Sequence, residues 1–368
     1  MKEKLELAFI PQNKRSEVSI IEKKTSGKEY VFYGEDNKFP EYLWDLYLKC
    51  STLQSIINGT ADFVSGNEVR INNPKFAESV NKEGDTIEDL YRKISVDCMI
   101  FGGFALQIIR NVKGELSEIY WVDFRKLRLN EDSNKVFYCD EWGKWGAKAL
   151  EYEIFDPNKN QTNSIFYFKG HITRGIYPIP RYIGGLKSIE TMIEIDNFHL
   201  NSILNNLTSS AIIEFNNGIP SEEEKREIEN KIREKFTGTN NAGQFMLVFN
   251  DNKENGLTFQ RLADDNQDKK FETLLKTTRD NIFITLRATP ELFGMSTDGN
   301  GFSKEEYLQA FELYNKTMVI PMQKDINRAF EKIFGVKDVI VNVPFTIYEV
   351  ENNAMFDDTA SLAKKVEE

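Results

Sequence analysis

Two amphipathic segments of nearly equal length constrain the fold of this chain more than any other feature. Residues 186–207 and 268–288 each carry apolar side chains at helical spacing. At about 1.5 Å per residue, a helix of about 21 residues is on the order of 30 Å long. The apolar positions are Leu186, Ile189, Met192, Ile193, Phe198, Leu200, Ile203, Leu204 and Leu207 in the first segment, and Phe271, Leu274, Leu275, Ile282, Phe283 and Leu286 in the second. We therefore expect two rods of matched length.

A short insert of mixed character separates the two rods. Ala211–Phe215 is predicted to be a strand, and further strands are predicted at Gln244–Phe249 and Leu257–Phe259. Ser221–Glu224 has the spacing of a capping box, and it would begin a charged helix that ends near Phe236. The rods would then form an antiparallel helical hairpin with a compact α/β module at its far end.

The region before the first rod predicts helices followed by strands. Residues 1 to about 36 are polar, with one or two short strands such as Tyr30–Tyr33. A helical pattern begins at Phe39 and closes at Gly66–Asn67, and Thr86–Asp89 is a capping box for a second helix ending near Ile100. A mostly antiparallel β region is then predicted at 104–170, with strands at 104–110, 119–124, 136–139, 150–155 and 165–168.

The region after the second rod predicts a loop and a long helix. Thr289–Gly294 ends the rod, and the loop that follows has two glycines within three residues, which favours mobility. A third capping box, Ser303–Glu306, opens a helix that runs to about Phe334. Pro321 lies inside this helix and is expected to kink or divide it. A short strand at Val339–Val343 precedes an acidic end.

Charge and cysteine content exclude several classes of protein. The chain has 47 Lys and Arg against 58 Asp and Glu, a net charge of −11, which argues against a broad basic face that clamps nucleic acid. Weak attraction for phosphates is compatible with DNA that slides past. The three cysteines, Cys50, Cys98 and Cys139, are far apart, so we expect reduced thiols in a cytoplasm. We expect no secretory signal, no membrane contact and no membrane span.

The sequence offers little to support catalysis, and we expect no enzyme activity, no cofactor and no metal. The two histidines, His171 and His199, have no partner at metal-ligand spacing and no nucleophile elbow beside them. Gly184–Ser188 resembles the end of a phosphate loop, but Leu186 intervenes between the second glycine and the lysine, and the upstream glycine is absent. A loop that ends where a helix starts explains it better.

One enzymatic alternative remains open. Asp264, Asp265 and Asp268 could bind a metal in a nuclease if their carboxylates converged in space. Their place just before the second rod favours the simpler interpretation, in which acidic residues stabilise the start of a helix.

The first rod carries apolar residues on more than one flank, with Ile195 beside Ile193 and Leu200. An isolated hairpin would not need this second flank. We therefore expect part of the rod surface to be buried between copies of the chain.

The order of these parts resembles the tailed-bacteriophage portal family. The local likeness is greatest at Ile284–Gly294, where a helix ends in a Pro-x-Leu-x-Gly turn, and it extends to Tyr177–Pro180 and to the helix around Ile320–Pro321. The resemblance implies an α+β portal fold with an α/β wing, a two-helix stem, a small α/β clip, a tunnel loop and a long kinked helix. The implied parts are an N-terminal arm at 1–37, the wing at 38–185, the first stem helix at 186–207, the clip at 208–262, the second stem helix at 268–288, the tunnel loop at 294–302, the long helix at 303–334 and a C-terminal segment with a small or absent crown at 335–368.

The resemblance also implies a role. Members of this family form a homo-oligomeric ring, usually of twelve subunits, at one vertex of the capsid, and double-stranded DNA passes along its axis during packaging and ejection. The clip would bind the packaging motor (the terminase large subunit) and later the head–tail adaptor, and the wing would contact the major capsid protein. The expected location is the virion, after assembly in the bacterial cytoplasm.

Particular residues are candidates for contact with DNA. The tunnel loop would include Asp298, Gly299, Asn300 and Gly301, and the cations that could face the channel are Lys276, Arg279 and Lys304. A plain connector between helices is the alternative for the loop. Another head–tail or baseplate structural protein is the alternative for the whole chain.

Overall fold

A computed structural model describes most of the chain between residues 22 and 345. The described residues are 22–25, 27–170, 175–205, 211–215, 221, 223–228, 245–249, 258–261, 267–295 and 304–345. Within these ranges, only the backbone is described at 202–205, 211–215, 245–249, 258–261, 267–270 and 304.

Three helices form the first layer of the fold. Helix α1 spans Phe39–Lys49, α2 spans Ser51–Ser65 and α3 spans Ile87–Phe101. The apolar pattern predicted one continuous helical stretch up to Gly66, but the backbone of Cys50 is extended (φ −102°, ψ 103°) and separates two helices. The periodic apolar residues are buried on both sides of the break: Leu43, Leu46, Leu53, Ile56, Ile57, Ala61 and Val64. Each fully buried Leu or Ile side chain contributes about 1.5–3 kcal/mol to folding.

Helix α3 begins and ends with local structures that satisfy its backbone. The N–H of Asp89 donates to Thr86 Oγ1 at 3.1 Å, and the N–H of Thr86 donates to Asp89 Oδ2 at 2.9 Å, so the predicted capping box is confirmed. The helix ends at Gly102, whose φ of 77° is left-handed. A Cβ there would lie 2.6 Å from the carbonyl oxygen of Ile179, so packing also requires glycine.

A six-stranded sheet packs on this helical layer. Its order is β3-β2-β7-β6-β5-β4, and every neighbouring pair is antiparallel except β6 and β7. The strands are β2 Gly103–Arg110, β3 Leu116–Val122, β4 Leu127–Leu129, β5 Lys135–Tyr138, β6 Leu150–Ile154 and β7 Asn163–Lys169. The prediction of a mostly antiparallel region is confirmed. It missed β4, because three residues are too few to show an alternating pattern.

A buried arginine joins the N-terminal segment to this sheet. Arg128, on β4, is fully buried, and its guanidinium donates to the carbonyl oxygen of Asn37 at 2.6 Å and to the carbonyl oxygens of Arg125 and Leu127 at 2.7 Å each. The same group lies 4.9 Å from the ring of Trp142. The strand predicted at Tyr30–Tyr33 is wrong, since the segment forms only an isolated bridge between Lys23 and Phe32.

A two-stranded sheet joins the last strand of the described chain to the first. Strand β1, Glu68–Ile71, pairs antiparallel with β11, Ile340–Val343. The sequence prediction found β11 at 339–343 but missed β1, whose four residues follow directly on the end of α2.

The insert between the rods contains a three-stranded sheet. Strands β8 (Ala211–Phe215), β9 (Phe245–Phe249) and β10 (Thr258–Arg261) lie in the order β10-β8-β9, with β8 and β9 parallel. The predicted capping box at Ser221 is confirmed, because the N–H of Ser221 donates to Glu224 Oε2 at 2.9 Å and the N–H of Glu224 donates to Ser221 Oγ at 3.3 Å.

Candidate functional site

The two predicted rods are both helices. Helix α4 spans Leu186–Asn205 and helix α5 spans Gln267–Thr285. The predicted ranges were 186–207 and 268–288, so the second helix ends three residues earlier than its apolar pattern suggested. A short 3₁₀ turn at Ile183–Gly185 leads into α4, in agreement with the interpretation of this segment as a helix start.

The two helices pack side by side and antiparallel, and we call them the helical pair. Gly185, just before α4, lies against Thr285 at the end of α5, where a Cβ on the glycine would be 2.8 Å from Thr285 Oγ1. Farther along, the rings of Phe198 and Phe271 stack with centroids 4.9 Å apart. Residues later in α4 therefore contact residues earlier in α5, as expected of antiparallel helices. Gly185 permits the close approach at this end.

One face of the helical pair is covered by the rest of the chain. Its buried residues are Ile189, Met192 and Ile195 on α4 and Thr278, Ile282 and Phe283 on α5. Ile195, which the sequence placed on an additional uncovered flank, is thus buried within the chain and does not support that argument.

Other apolar residues of the helical pair face solvent. Leu200 is 55% exposed, Leu274 is 43% exposed and Ile284 is 71% exposed. Ile284 lies on the side of α5 opposite to its buried residues, whereas Leu274 lies at the edge of the buried face, four residues before Thr278. Ile284 is therefore the residue of the helical pair most suited to contact another molecule, because it is large, apolar and points away from the rest of the chain.

A tight turn closes α5. The N–H of Ala288 donates to the carbonyl of Phe283 at 2.9 Å, and the N–H of Arg287 donates to the carbonyl of Ile284 at 3.0 Å. This is the bonding pattern of a Schellman motif, in which the residue past the helix is left-handed and usually glycine. Arg287 occupies that position with φ 54°. A 3₁₀ turn at Pro290–Phe293 follows and ends at Gly294.

The long helix after the predicted tunnel loop contains a π-helical turn. Helix α6 spans Lys304–Tyr314, the π turn spans Asn315–Val319 and helix α7 spans Ile320–Phe334. The N–H of Ile320 donates to the carbonyl of Asn315, five residues back. The irregularity expected at Pro321 therefore lies in the turn before it. Such turns are rare and occur frequently at functional sites.

One aromatic cluster holds the chain on both sides of the predicted tunnel loop. Phe63 of α2 lies 6.2 Å from Phe293, which precedes the loop, and 5.5 Å from Phe311, which follows it. Tyr314 joins the cluster, and its hydroxyl lies 2.6 Å from Thr60 Oγ1. Burial raises the pKa of Tyr314 to about 12, so this phenol stays protonated at neutral pH.

The predicted DNA-contacting residues are only partly described. Asp298, Gly299, Asn300 and Gly301 lie outside the described residues, as does the side chain of Lys304. Lys276 is exposed on α5, and Arg279, one turn later, is half-buried with its Nε 3.7 Å from Asp280 Oδ1. Asp280 thus offsets part of the positive charge of this turn.

The groups that could support metal binding or catalysis are only partly within the described residues. The described residues contain no group of three or more His, Cys, Asp or Glu arranged to hold a metal ion, and all three cysteines are free thiols. His199 lies on α4 with its ring 5.7 Å from that of Phe271, and His171 is outside the described residues. Asp264, Asp265 and the side chain of Asp268 are likewise outside them. No helix in the described ranges is long and apolar enough to cross a membrane.

The structure also contains a cavity that the sequence did not reveal. It has a volume of about 270 Å³ and lies where α3, β7, the end of α5 and α7 meet. Arg181 and Arg287 line it together with Cys98, Met318 and Asp325. These residues are far apart in sequence, so no local motif could have grouped them.

Two of the solved structures that match most of this chain come from gene transfer agent particles. A chain from "Virion of native gene transfer agent (GTA) particle" is 14% identical with a TM-score of 0.54, and the match covers 89% of this chain and 88% of that one. A chain from "Neck of native GTA particle computed with C12 symmetry" is 14% identical with a TM-score of 0.53, and the match covers 89% of both chains. At this identity, the likeness establishes the α+β fold alone.

Comparison of sequences identifies a relative and a family. An uncharacterized protein of Rickettsia bellii (strain RML369-C) is 26% identical over 131 residues, which make up 35% of this chain and 32% of the relative, so the match spans about a third of that protein's length. A family model described as phage portal protein matches residues 64–366, which is far more than half of the chain. The chain therefore belongs to the phage portal protein family.

Proposed function

We propose that this portal protein assembles into a closed ring at one vertex of a phage capsid and that double-stranded DNA passes through the ring during packaging and ejection. The observation that carries the proposal is the exposure of large apolar residues on the helical pair: Leu200, Leu274 and, on the uncovered side of α5, Ile284. A second copy related by rotation about an axis would cover them. The C12 symmetry of one similar structure, the neck of the native GTA particle, supports this arrangement.

In this proposal each part of the chain has a separate task. The helical pair forms the stem, the module with strands β8, β9 and β10 is the clip, and the helices and sheet before α4 are the wing. The clip would dock the terminase large subunit and later the head–tail adaptor, and the wing would contact the major capsid protein. The ring number that we propose is twelve, and the site of assembly is the host cytoplasm.

Weak attraction for DNA suits a channel. Each phosphate held by a cation adds to the salt-dependent affinity for DNA, and a tight hold opposes translocation. The net charge of −11 keeps that affinity low. Lys276 and Arg279 can supply transient contacts, with Asp280 beside Arg279 weakening them. The proposed role is structural and requires no catalysis.

The test is the assembly state of the purified full-length chain. We expect native mass spectrometry to give a species of ten to thirteen times 42.6 kDa, and end-on electron micrographs to show a ring with an open centre. Monomers and dimers across a range of salt and protein concentrations, with no ring in the images, would contradict the proposal. A ring that occupies another position than the capsid vertex in a particle reconstruction would favour a different head–tail or baseplate component.

A further inference from the structure

The cavity beside the helical pair is lined by two positively charged side chains and one negatively charged side chain. Arg181 and Arg287 are both exposed and both line it. Neither forms an ion pair with any residue in the described ranges. Arg110 and Arg226 also have no ion pair there, whereas six other arginines in those ranges lie within 4 Å of a carboxylate: Arg70 with Glu68, Arg92 with Asp62, Arg125 with Asp123, Arg128 with Glu41, Arg279 with Asp280 and Arg328 with Asp325.

The surroundings of these two arginines favour an anion. Arg181 Nη1 lies 3.5 Å from Met318 Sδ, and Met318 and Met322 form a buried apolar side of the cavity. Apolar walls lower the local dielectric and strengthen the attraction between a guanidinium and an anion. Asp325 also lines the cavity, but Arg328 lies 3.7 Å from its Oδ1 and offsets its charge.

The backbone of Arg287 adds an independent observation. Of the non-glycine residues with positive φ in the described ranges, Asn37, Ser133 and Asp338 have short polar side chains, whereas Arg287 has a long charged one. The position closes a Schellman motif, where glycine is free of strain. A residue kept in a disfavoured conformation suggests a function for its side chain. That side chain is a guanidinium at the edge of the cavity.

We propose that this cavity is a binding site for one oxyanion group, held by Arg181 and Arg287, and that the group is the carboxylate of an acidic side chain from a neighbouring copy of the chain. The planar fork of arginine matches a carboxylate. With 58 Asp and Glu per chain, a neighbouring copy is rich in such groups. A recess between several elements of one chain admits the end of a side chain, whereas the backbone of a DNA duplex stays outside it. The choice of a neighbouring copy rests on the proposed ring.

The test compares assembly of the wild-type chain with that of three variants. Arg287→Gly removes the guanidinium and relieves the backbone strain, so this variant should fold and unfold at a temperature no lower than that of the wild type. Arg181→Gln removes the other guanidinium. Arg70→Gln is the matched control, because it removes another exposed positive charge, one that pairs within its own chain.

The measured quantity is the protein concentration at half-assembly, obtained by mass photometry. We expect Arg181→Gln and Arg287→Gly to raise it by about tenfold or more, and Arg70→Gln to leave it unchanged. Sodium phosphate should raise it for the wild type more than sodium chloride at equal ionic strength, since phosphate competes for the site. This difference should vanish in Arg287→Gly. Wild-type assembly of both cavity variants, or equal effects of the two salts, would overturn the proposal.

Two further outcomes separate this proposal from the proposed function. If the cavity variants assemble normally but bind a short fluorescent DNA duplex more weakly than Arg70→Gln does, the site takes DNA phosphates and the assignment to a neighbouring copy is wrong. If the wild type forms no ring, the proposed function fails. Titration calorimetry with inorganic phosphate then tests the site by itself. If the wild type gives a heat of binding that Arg287→Gly does not give, the cavity is an oxyanion site and only its assignment to a neighbouring copy is wrong.

Discussion

Replacing Ile284 with glutamate should abolish assembly without weakening the folded chain. Ile284 is 71% exposed on the side of α5 that the chain leaves uncovered. In the proposed ring this surface is buried against the next subunit. On assembly, the carboxylate of a glutamate at this position would be transferred from water into an apolar contact, which is unfavourable.

The size of the effect follows from the exposed area. Complete burial of an isoleucine side chain contributes about 1.5–3 kcal/mol, so burial of the exposed 71% contributes about 1–2 kcal/mol at each interface. Loss of this contribution alone weakens a subunit contact by about 5–30-fold. The desolvation of the introduced carboxylate adds several kcal/mol. Stability of the single chain should change by less than about 0.5 kcal/mol, because the site is on its surface.

Mass photometry gives the assembly state, and urea unfolding gives the stability. The control is Val112→Glu, which introduces the same charge at a 98% exposed valine in the β2–β3 turn. We expect rings from Val112→Glu and none from Ile284→Glu at the wild-type assembly concentration. Rings from both variants would refute the reasoning, since the exposed face of α5 would then not be an interface.

Three other outcomes are expected. Burial raises the pKa of Asp97 well above its ordinary value, so the folded chain loses stability as pH rises above the ordinary aspartate pKa. Asp97→Asn keeps an oxygen that accepts the 2.7 Å hydrogen bond from Trp121 Nε1–H. This variant should therefore unfold at a higher temperature than the wild type at pH 7.5, and the difference should disappear near pH 4. A gain that is independent of pH would contradict this. Arg128→Met should lower the free energy of unfolding in urea by about 3–5 kcal/mol, because it leaves buried carbonyl oxygens without donors, and a loss under 1 kcal/mol would count against that account. Deletion of residues 298–301 should leave rings intact in electron micrographs but lower DNA packaging or retention, and loss of the rings would mean that the segment is a structural connector.

Much of the architecture was predictable because short stretches of the sequence determine it. The two rods, the capping boxes at Thr86 and Ser221 and the hairpin of β2 and β3 all depend on residues close together in the chain. The periodicity of apolar residues and the capping residues of helices therefore predict these elements well. The break at Cys50 was missed because the apolar periodicity continues across it.

The features that were missed depend on backbone geometry or on distant residues. A π turn has nearly the same composition as an α-helix, so nothing in Asn315–Val319 announces it. The end of α5 was placed too late because Arg287, in a position where glycine is the usual signal, gives no sign of a helix end. The cavity depends on residues from 98 to 325, whose proximity only the tertiary fold creates.

The attachment of Phe293 and Phe311 to the same Phe63 has a mechanical consequence. The chain is thereby attached to one helix, α2, on both sides of the stretch between these two residues. Helix α2 also packs on α3, so both attachments lead into the helical layer of the fold. Both ends of the stretch therefore share one point of attachment within the fold.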